Sequence, residues 1–219
     1  MKYDLIIVAL SSKKRLVEMT QQCIDSARQD GAELNIIVVE TYPMIHEYQN
    51  IDKLVKYRGE FCYNRALNEG LKHATRDVHV LANNDLIFHK GWSEIGELML
   101  CNGYGSASAL SSWHISKGMQ QGDFIYPGYR IEYEVAGWCL FITRESMQKI
   151  GQLDESFEFW HSDNMYAEQL RAHGIKHGLF CNIRIDHLES VTLRSVSTRY
   201  QRKYTSGSVI KYNLMQNAK

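Results

Sequence analysis

A strand–helix–strand pattern near the start of the chain places the strongest constraint on its fold. Leu5–Leu10 and Ile36–Val39 are short aliphatic runs, rich in β-branched residues and without polar alternation, as is typical of parallel strands buried on both faces. Between them, apolar residues recur at helical spacing from Leu16 to Ala27, and Gly31 marks the end of that helix. This βαβ unit predicts an α/β domain with a parallel sheet covered by helices.

The rest of the chain continues the alternation. Apolar periodicity predicts further helices over 63–74, 91–100, 144–150 and 163–173, and further strands over 78–82, 107–110 and 135–143. The segment 42–60 is predicted to be a loop. The segment 111–134 is rich in Gly, Ser, Gln and Tyr, and it is predicted to be a long loop or small hairpin that covers a site.

Composition excludes some classes of protein. The 219 residues are enough for one α/β domain, with 44% hydrophobic and 23% charged residues, as in ordinary soluble proteins. The formal net charge is zero, so a global basic field for nucleic acid is absent. The apolar run within Met1–Leu10 is too short for a signal peptide or a membrane span.

Cysteine usage indicates the compartment. Five cysteines occur, an odd number, and no two have a Cys-x-x-Cys spacing, so a zinc site made from them is disfavoured. Buried reduced thiols in a soluble cytoplasmic protein are the expected state.

Three polar residues end the predicted strand 78–82. Asn83, Asn84 and Asp85 follow this apolar run, and apolar residues resume directly after them. Oxygen-bearing side chains at the carboxyl end of a strand suit a hard divalent cation and the hydroxyls of a ligand. An Asx turn, in which these side chains bond their own backbone, is the structural alternative.

Three segments in order resemble the family-2 glycosyltransferases, which are inverting enzymes of the GT-A fold. Residues 66–74, followed by 78–86, resemble the family's helix with an Ala-x-Asn-x-Gly core and its strand ending in Asp-x-Asp or, in one branch, Asn-Asn-Asp. Residues 137–144 and 150–157 are similar to the strand and turn before the catalytic acid. Ser162, Asp163, Leu170, Arg171, Gly174 and His187 match the helix and the histidine that follow.

The resemblance implies a single GT-A (Rossmann-like) domain over residues 1–190, with a mostly parallel central sheet flanked by helices and a long acceptor-side loop. Residues 1–90 form its nucleotide-sugar-binding half and residues 91–190 its acceptor and catalytic half. Residues 191–219 form a basic C-terminal arm, because no acidic residue follows Glu189. This arm is either a solvated helix or a patch that binds phosphates through Arg194 and Arg199.

The implied activity is metal-dependent transfer of a sugar from a nucleoside-diphosphate sugar to a hydroxyl acceptor. Asp85 and His187 are the expected ligands of Mn²⁺ or Mg²⁺, which neutralises the leaving diphosphate. Asp163 is the expected base that takes the acceptor's proton. Ser162 stands where the family usually has Glu, and both Ser162 and Asp163 could instead cap the following helix.

Contacts with the two substrates are also expected from the resemblance. The residues expected to contact the sugar nucleotide are Ala9, Ser11, Glu40, Arg65, Asn68, Asn83 and Asn84. Arg65 could equally be a surface residue of its helix. Trp113, Trp138 and Trp160 are expected to contact the acceptor, because sugars stack on aromatic rings, although Trp138 and Trp160 could be core residues.

Other functions remain open at this point. The acceptor is expected to be a saccharide, but hydroxymethylated DNA bases are an alternative suggested by the basic tail with its interleaved tyrosines. A non-catalytic module that binds sugar nucleotides or glycans is a second alternative. A nucleotidyltransferase is the least favoured, because no glycine follows the first strand in residues 11–15.

Overall fold

Nine strands and eight helices make up the described part of the chain, residues 1–44, 46–188 and 198–217 of a computed structural model. The strands are β1 (Lys2–Ala9), β2 (Glu33–Glu40), β3 (Lys53–Lys56), β4 (Val78–Asn83), β5 (Leu86–Phe88), β6 (Ser106–Leu110), β7 (Ile125–Pro127), β8 (Cys139–Thr143) and β9 (His177–His187). The helices are α1 (Lys14–Arg28), α2 (Tyr63–Leu71), α3 (Ile95–Cys101), α4 (Ser112–Ser116), α5 (Arg144–Ile150), α6 (Ser162–Ala172), α7 (Thr198–Tyr204) and α8 (Ser206–Asn217), and a 3₁₀ turn spans Trp92–Glu94.

The strands form one mixed sheet in the order β3-β2-β1-β4-β8-β6-β9-β5, with β7 also paired to β9. The first four strands of this order are parallel, as the βαβ pattern predicts. Beyond them, β8 runs antiparallel to both β4 and β6, and β5 and β7 run antiparallel to β9. The predicted α/β domain is therefore confirmed, and its sheet is parallel from β3 to β4 and mixed beyond β4.

Helix α2 packs unusually close to the sheet at Gly70. A Cβ atom there would lie 2.4 Å from Cγ2 of Ile6 in β1 and 3.0 Å from Cγ2 of Val39 in β2. Such distances are well inside van der Waals contact, so a larger residue would push the helix away. The glycine of the Ala-x-Asn-x-Gly segment thus fixes α2 against the two strands that lead to the expected nucleotide side.

Several elements differ from the sequence predictions. The predicted loop 42–60 contains β3, the segment 111–134 contains α4 and β7, and the eleven-residue strand β9 was not predicted at all.

All five cysteines are free thiols, and four of them are buried. None of the helices in the described ranges has the length and apolar character needed to cross a membrane.

Candidate functional site

Asp85 and His187 face each other at the carboxyl end of β4. Strand β5 starts at Leu86 and pairs with the end of β9, where Leu86 lies opposite His187, and the Leu188 N–H donates to the Asp85 carbonyl at 2.9 Å. This antiparallel pairing brings Asp85 Oδ1 to 3.2 Å from His187 Nε2. Both side chains are largely buried, with exposed fractions of 3% for Asp85 and 13% for His187.

The geometry of this pair fits a shared cation better than a simple ion pair. Although the two atoms are close, their orientation is not that of a hydrogen bond, and neither atom has another hydrogen-bond partner among the described residues. Buried polar atoms are normally satisfied, so two unsatisfied ligand atoms that converge indicate a missing third partner. A carboxylate and an imidazole suit Mn²⁺, and such an ion takes its remaining ligands from substrate phosphates and water.

Within the described residues, no group of three or more His, Cys, Asp or Glu side chains is arranged to hold a metal. The pair Asp85–His187 therefore cannot be a closed structural site, which needs about four protein ligands. An open site that is completed by a substrate is consistent with two protein ligands.

The dipeptide Gly137–Trp138 links the parts of the site. The Trp138 indole stacks on the His187 imidazole, with centroids 5.1 Å apart and planes 7° apart. The Trp138 carbonyl accepts a hydrogen bond from the Asn83 N–H at 2.9 Å. On the other side, Gly137 lies directly against the side chain of Asp163. The expected metal ligands and the expected base therefore meet at one short segment.

Asp163 lies in the first turn of α6 and is partly buried. Its Oδ1 accepts from the Asn164 N–H at 2.9 Å, so it does bond the helix terminus, as the capping alternative requires. The Ser162 hydroxyl instead donates to the Phe159 carbonyl, and His161 is the N-cap residue. Burial raises the pKa of the Asp163 carboxyl above its ordinary value, and this outweighs the hydrogen bonds that lower it.

Replacing Gly137 by alanine tests this arrangement. An alanine Cβ would lie 2.8 Å from Asp163 Cβ and 2.9 Å from its Oδ2. We expect Gly137→Ala to displace Asp163 and to lower the free energy of unfolding by about 1–3 kcal/mol, as overpacking does. Chemical unfolding checks this. Gly207→Ala is the control, because nothing lies within 4 Å of that added Cβ. Equal stability of the two variants would contradict the close contact.

The expected nucleotide residues of the first two strands form a buried hydrogen-bond network. Glu40 is fully buried, and its carboxylate accepts from the Ser11 N–H at 3.1 Å, the Tyr42 N–H at 2.8 Å and the Tyr48 hydroxyl at 2.8 Å. The Ala9 carbonyl accepts from the Thr41 N–H and hydroxyl. Glu40 thus holds the loops at the ends of β1 and β2, and its contact with a nucleobase stays a prediction.

The two amides beside Asp85 differ in their surroundings. Asn83 is half-buried at the end of β4 and bonds Trp138 through its backbone N–H. Asn84 is buried, and its side-chain amide donates to the Thr20 hydroxyl of α1 at 2.9 Å. This bond attaches the strand end to α1, so Asn83 is the better placed of the two to meet a ligand.

Two of the expected nucleotide residues on α2 contact a turn of the protein instead. Asn68 donates to the Leu153 carbonyl and to Glu155 Oε1, both at 3.0 Å, and accepts from the Leu153 N–H at 3.0 Å. Arg65 Nε lies 2.7 Å from Glu155 Oε2. The structure gives both residues a role in anchoring the turn 153–155 that leads to α6, and their contact with the donor stays a prediction.

The three tryptophans expected at the acceptor side occupy different environments. Trp160 is 45% exposed and precedes His161 at the start of α6. Trp113 is partly exposed in α4, and the Lys117 ammonium lies 4.3 Å from its ring centroid. Trp138 is half-buried against His187 and packs on the core. Trp160 therefore offers the most accessible stacking face beside Asp163.

The C-terminal helices dock on the start of α6. Tyr212 of α8 stacks on His161, with centroids 4.4 Å apart and planes 2° apart, and Tyr204 of α7 meets Phe61 edge-on at 5.5 Å. The described tail is thus helical and contacts the domain through these two tyrosines, while Ile210 and Leu214 of α8 are exposed. Arg194 lies outside the described residues, as does the side chain of Arg199, so their phosphate contacts stay predictions.

Sequence reasoning assigned no role to several residues of this site. Gly137 was matched to a motif without a function. Tyr63, whose ring meets Phe159 just before α6, was taken only as part of an apolar helix face, and His161 was not considered. The signal for Gly137 was available, because glycine next to tryptophan before a buried strand indicates a close approach of the backbone. A tyrosine or histidine in such a place carries no comparable local signal.

Comparison with known proteins identifies the fold. No protein-family model and no curated protein sequence matches the chain. Similar solved structures include GalNAc-T7 crystallised with UDP, GalNAc and Mn²⁺, with a TM-score of 0.66, 10% identity and coverage of 85% of this chain and 43% of that one. Two structures of TarS from S. aureus have TM-scores of 0.62 and 0.64, with 10% and 12% identity.

The TarS matches cover 87% of this chain in both cases, and 61% and 37% of the TarS chains. This protein therefore spans about two fifths to three fifths of the length of these neighbours. At such low identity the likeness concerns the fold alone, and that fold is a single α/β domain similar to the GT-A glycosyltransferases.

Proposed function

We propose that this protein is a metal-dependent glycosyltransferase that moves a sugar from a nucleoside-diphosphate sugar to a hydroxyl group of a saccharide. The observation that carries the proposal is the buried, unsatisfied pair Asp85–His187 at the carboxyl end of β4, linked through Gly137–Trp138 to Asp163. The fold neighbour crystallised with UDP, GalNAc and Mn²⁺ supports a nucleotide-sugar donor and a divalent ion.

Asp85 and His187 would hold the ion, which when bound neutralises the negative charge of the leaving diphosphate. Asp163 would accept the proton of the acceptor hydroxyl as its oxygen bonds to the anomeric carbon. The bond from that carbon to the diphosphate oxygen breaks, and the nucleoside diphosphate leaves. The configuration at the anomeric carbon would invert, as the resemblance to the family-2 glycosyltransferases implies, if the acceptor oxygen attacks the face opposite the departing diphosphate.

The raised pKa of Asp163 predicts the pH dependence of this reaction. The base must be ionised, so kcat/KM is expected to rise with pH through a value above the ordinary 3.8 of an aspartate. Initial rates from pH 4 to 8 measure this, under donor concentrations well below KM. A rate that is flat down to the ordinary aspartate value would contradict the role of Asp163.

The test of the proposed function is a donor panel. Purified protein is incubated with UDP-, GDP- and dTDP-sugars, with Mn²⁺ or with EDTA, and release of the nucleoside diphosphate is measured with and without saccharide acceptors. We expect metal-dependent release from one donor. Binding of a sugar nucleotide without release under any condition would instead favour a non-catalytic binding module.

The same assay separates the acceptor classes. Trp160 is exposed beside Asp163 and is proposed to stack on the acceptor sugar. Stimulation of release by duplex DNA containing hydroxymethylated bases, and not by saccharides, would instead assign a DNA acceptor.

A further inference from the structure

Tyr63 has a buried hydroxyl without a hydrogen-bond partner among the described residues. It is the first residue of α2 and is 6% exposed. Its backbone N–H donates to the Glu158 carbonyl at 2.7 Å, and its ring meets Phe159 edge-on at 5.8 Å. The backbone and the ring are therefore held in place by the protein, while the hydroxyl alone lacks a partner.

Tyr63 packs on the segment that leads to Asp163, because the Phe159 that its ring meets accepts hydrogen bonds from the N–H and the hydroxyl of Ser162 through its carbonyl. Burial raises the pKa of Tyr63 above its usual range, and the nearby acidic groups of Cys139, Asp85 and Asp163 raise it further. Like the Tyr63 hydroxyl, Asp85 Oδ1 and His187 Nε2 are buried without a hydrogen-bond partner among the described residues.

Buried hydroxyls in folded proteins are almost always hydrogen-bonded, so an exception needs a physical explanation, and a functional role is one such explanation. A tyrosine needed only for packing could be phenylalanine, which fills the same space without a polar atom. A hydroxyl held rigidly beside the start of α6, where the expected base Asp163 lies, is placed to meet a substrate group that binds there. In the proposed reaction, that is the sugar being transferred.

We propose that the Tyr63 hydroxyl donates a hydrogen bond to an oxygen of the transferred sugar, on the side of the site where Asp163 lies. This inference rests on the proposed function. It makes Tyr63 a residue that recognises the sugar of the donor and not its nucleotide. The loss of this bond is therefore expected to appear only when a sugar is present.

Tyr63→Phe tests the inference, with Tyr166→Phe as the matched control. Tyr166 is also buried, but its hydroxyl lies 2.7 Å from the Ser106 hydroxyl and so has a partner within the protein. Calorimetric titration with Mn²⁺ measures the affinities for UDP-glucose, UDP-N-acetylglucosamine, GDP-mannose and dTDP-glucose, and for UDP, GDP and dTDP alone. Thermal unfolding is measured for all variants.

We expect Tyr63→Phe to weaken binding of the sugar nucleotide about fivefold to tenfold and to leave binding of the nucleoside diphosphate unchanged. Its melting temperature should equal or exceed that of the wild type, whereas Tyr166→Phe should melt lower and bind both ligands normally. These results together would assign Tyr63 to the sugar.

Two outcomes would overturn the inference. If the wild type binds a sugar nucleotide and Tyr63→Phe binds it equally well, the inference fails and the proposed function stands. A melting temperature of Tyr63→Phe lowered as much as that of Tyr166→Phe would show that the hydroxyl has a structural partner. If the wild type binds none of the nucleotides with Mn²⁺, the proposed function itself fails, and the inference fails with it.

Discussion

Asp163→Asn is expected to lower kcat for sugar transfer about 10³-fold, because general-base catalysis contributes about 10²–10⁴-fold and an amide cannot accept the proton. Binding of the sugar nucleotide should persist. The asparagine keeps the shape of the side chain and an oxygen that can accept from the Asn164 N–H, as Asp163 Oδ1 does at 2.9 Å. Single-turnover transfer and calorimetric titration separate the two effects.

The same variant has a second expected effect, on stability. Because burial raises the pKa of Asp163, the folded state binds more protons than the unfolded chain between the ordinary value of 3.8 and the raised value. The contribution of Asp163 to the free energy of unfolding therefore falls as pH rises through this window. Asparagine does not ionise, so the free energy of unfolding of Asp163→Asn does not fall through this window. The variant should therefore be as stable as the wild type in acid and more stable at neutral pH.

Asp154→Asn is the control for both measurements. Asp154 lies in the turn before α6, and its Oδ1 accepts from the Ser156 N–H at 2.7 Å, a bond that an asparagine can keep. It should retain transfer activity and show no comparable pH-dependent gain. If Asp154→Asn lost activity while Asp163→Asn kept it, the base would have to be reassigned to the turn.

Much of the first, parallel half of the sheet could be predicted from local sequence. Continuous aliphatic runs define β1, β2 and β4, because strands buried on both faces leave no room for polar alternation. The four-residue edge strand β3 carries no such signal, since its residues are half-buried or exposed. The position of an edge strand is determined by its pairing with the next strand and not by its own residue types. The segment 42–60 was therefore predicted to be a loop.

Strand β9 is different, because its signal was present. Ile183 and Ile185 are buried and alternate with the less buried Asn182, Arg184 and Asp186, which is the period-two pattern of a strand with one covered face. This alternation over 182–186 was sufficient to predict a strand that ends at His187. Its pairing with β5 is what carries His187 to Asp85.

The candidate site could be predicted only in part from the sequence. A buried polar residue needs a partner, and local sequence does not reveal whether that partner belongs to the protein or to a ligand. Glu40 and Asn68 were both predicted to contact the nucleotide, and both bond neighbouring loops. Asp85 Oδ1, His187 Nε2 and the Tyr63 hydroxyl are buried atoms as well, and only the folded structure distinguishes them by their lack of partners among the described residues.

Asp85→Asn is expected to abolish metal-dependent release of the nucleoside diphosphate, with a loss of about 10³-fold. Charge stabilisation by a bound ion contributes several kcal/mol, and about 1.4 kcal/mol corresponds to a factor of ten. Asparagine fits the same space but supplies no negative charge to the ion. Binding of Mn²⁺ in the presence of UDP, followed by the electron paramagnetic resonance signal of the free ion, should weaken in parallel.

Asp77→Asn is the matched control, because Asp77 is exposed and directly precedes β4 at the opposite end of the strand from Asp85. A loss of global negative charge would affect both variants alike, whereas loss of a ligand affects Asp85→Asn alone.

The two unsatisfied atoms also predict a difference in the metal-free protein. Removing Asp85 takes away a carboxylate that faces His187 without a hydrogen bond, so Asp85→Asn should unfold at nearly the wild-type temperature with EDTA. Added Mn²⁺ and UDP should then raise the melting temperature of the wild type and of Asp77→Asn, and not that of Asp85→Asn, because only a protein that binds the ion in its folded state is stabilised by it.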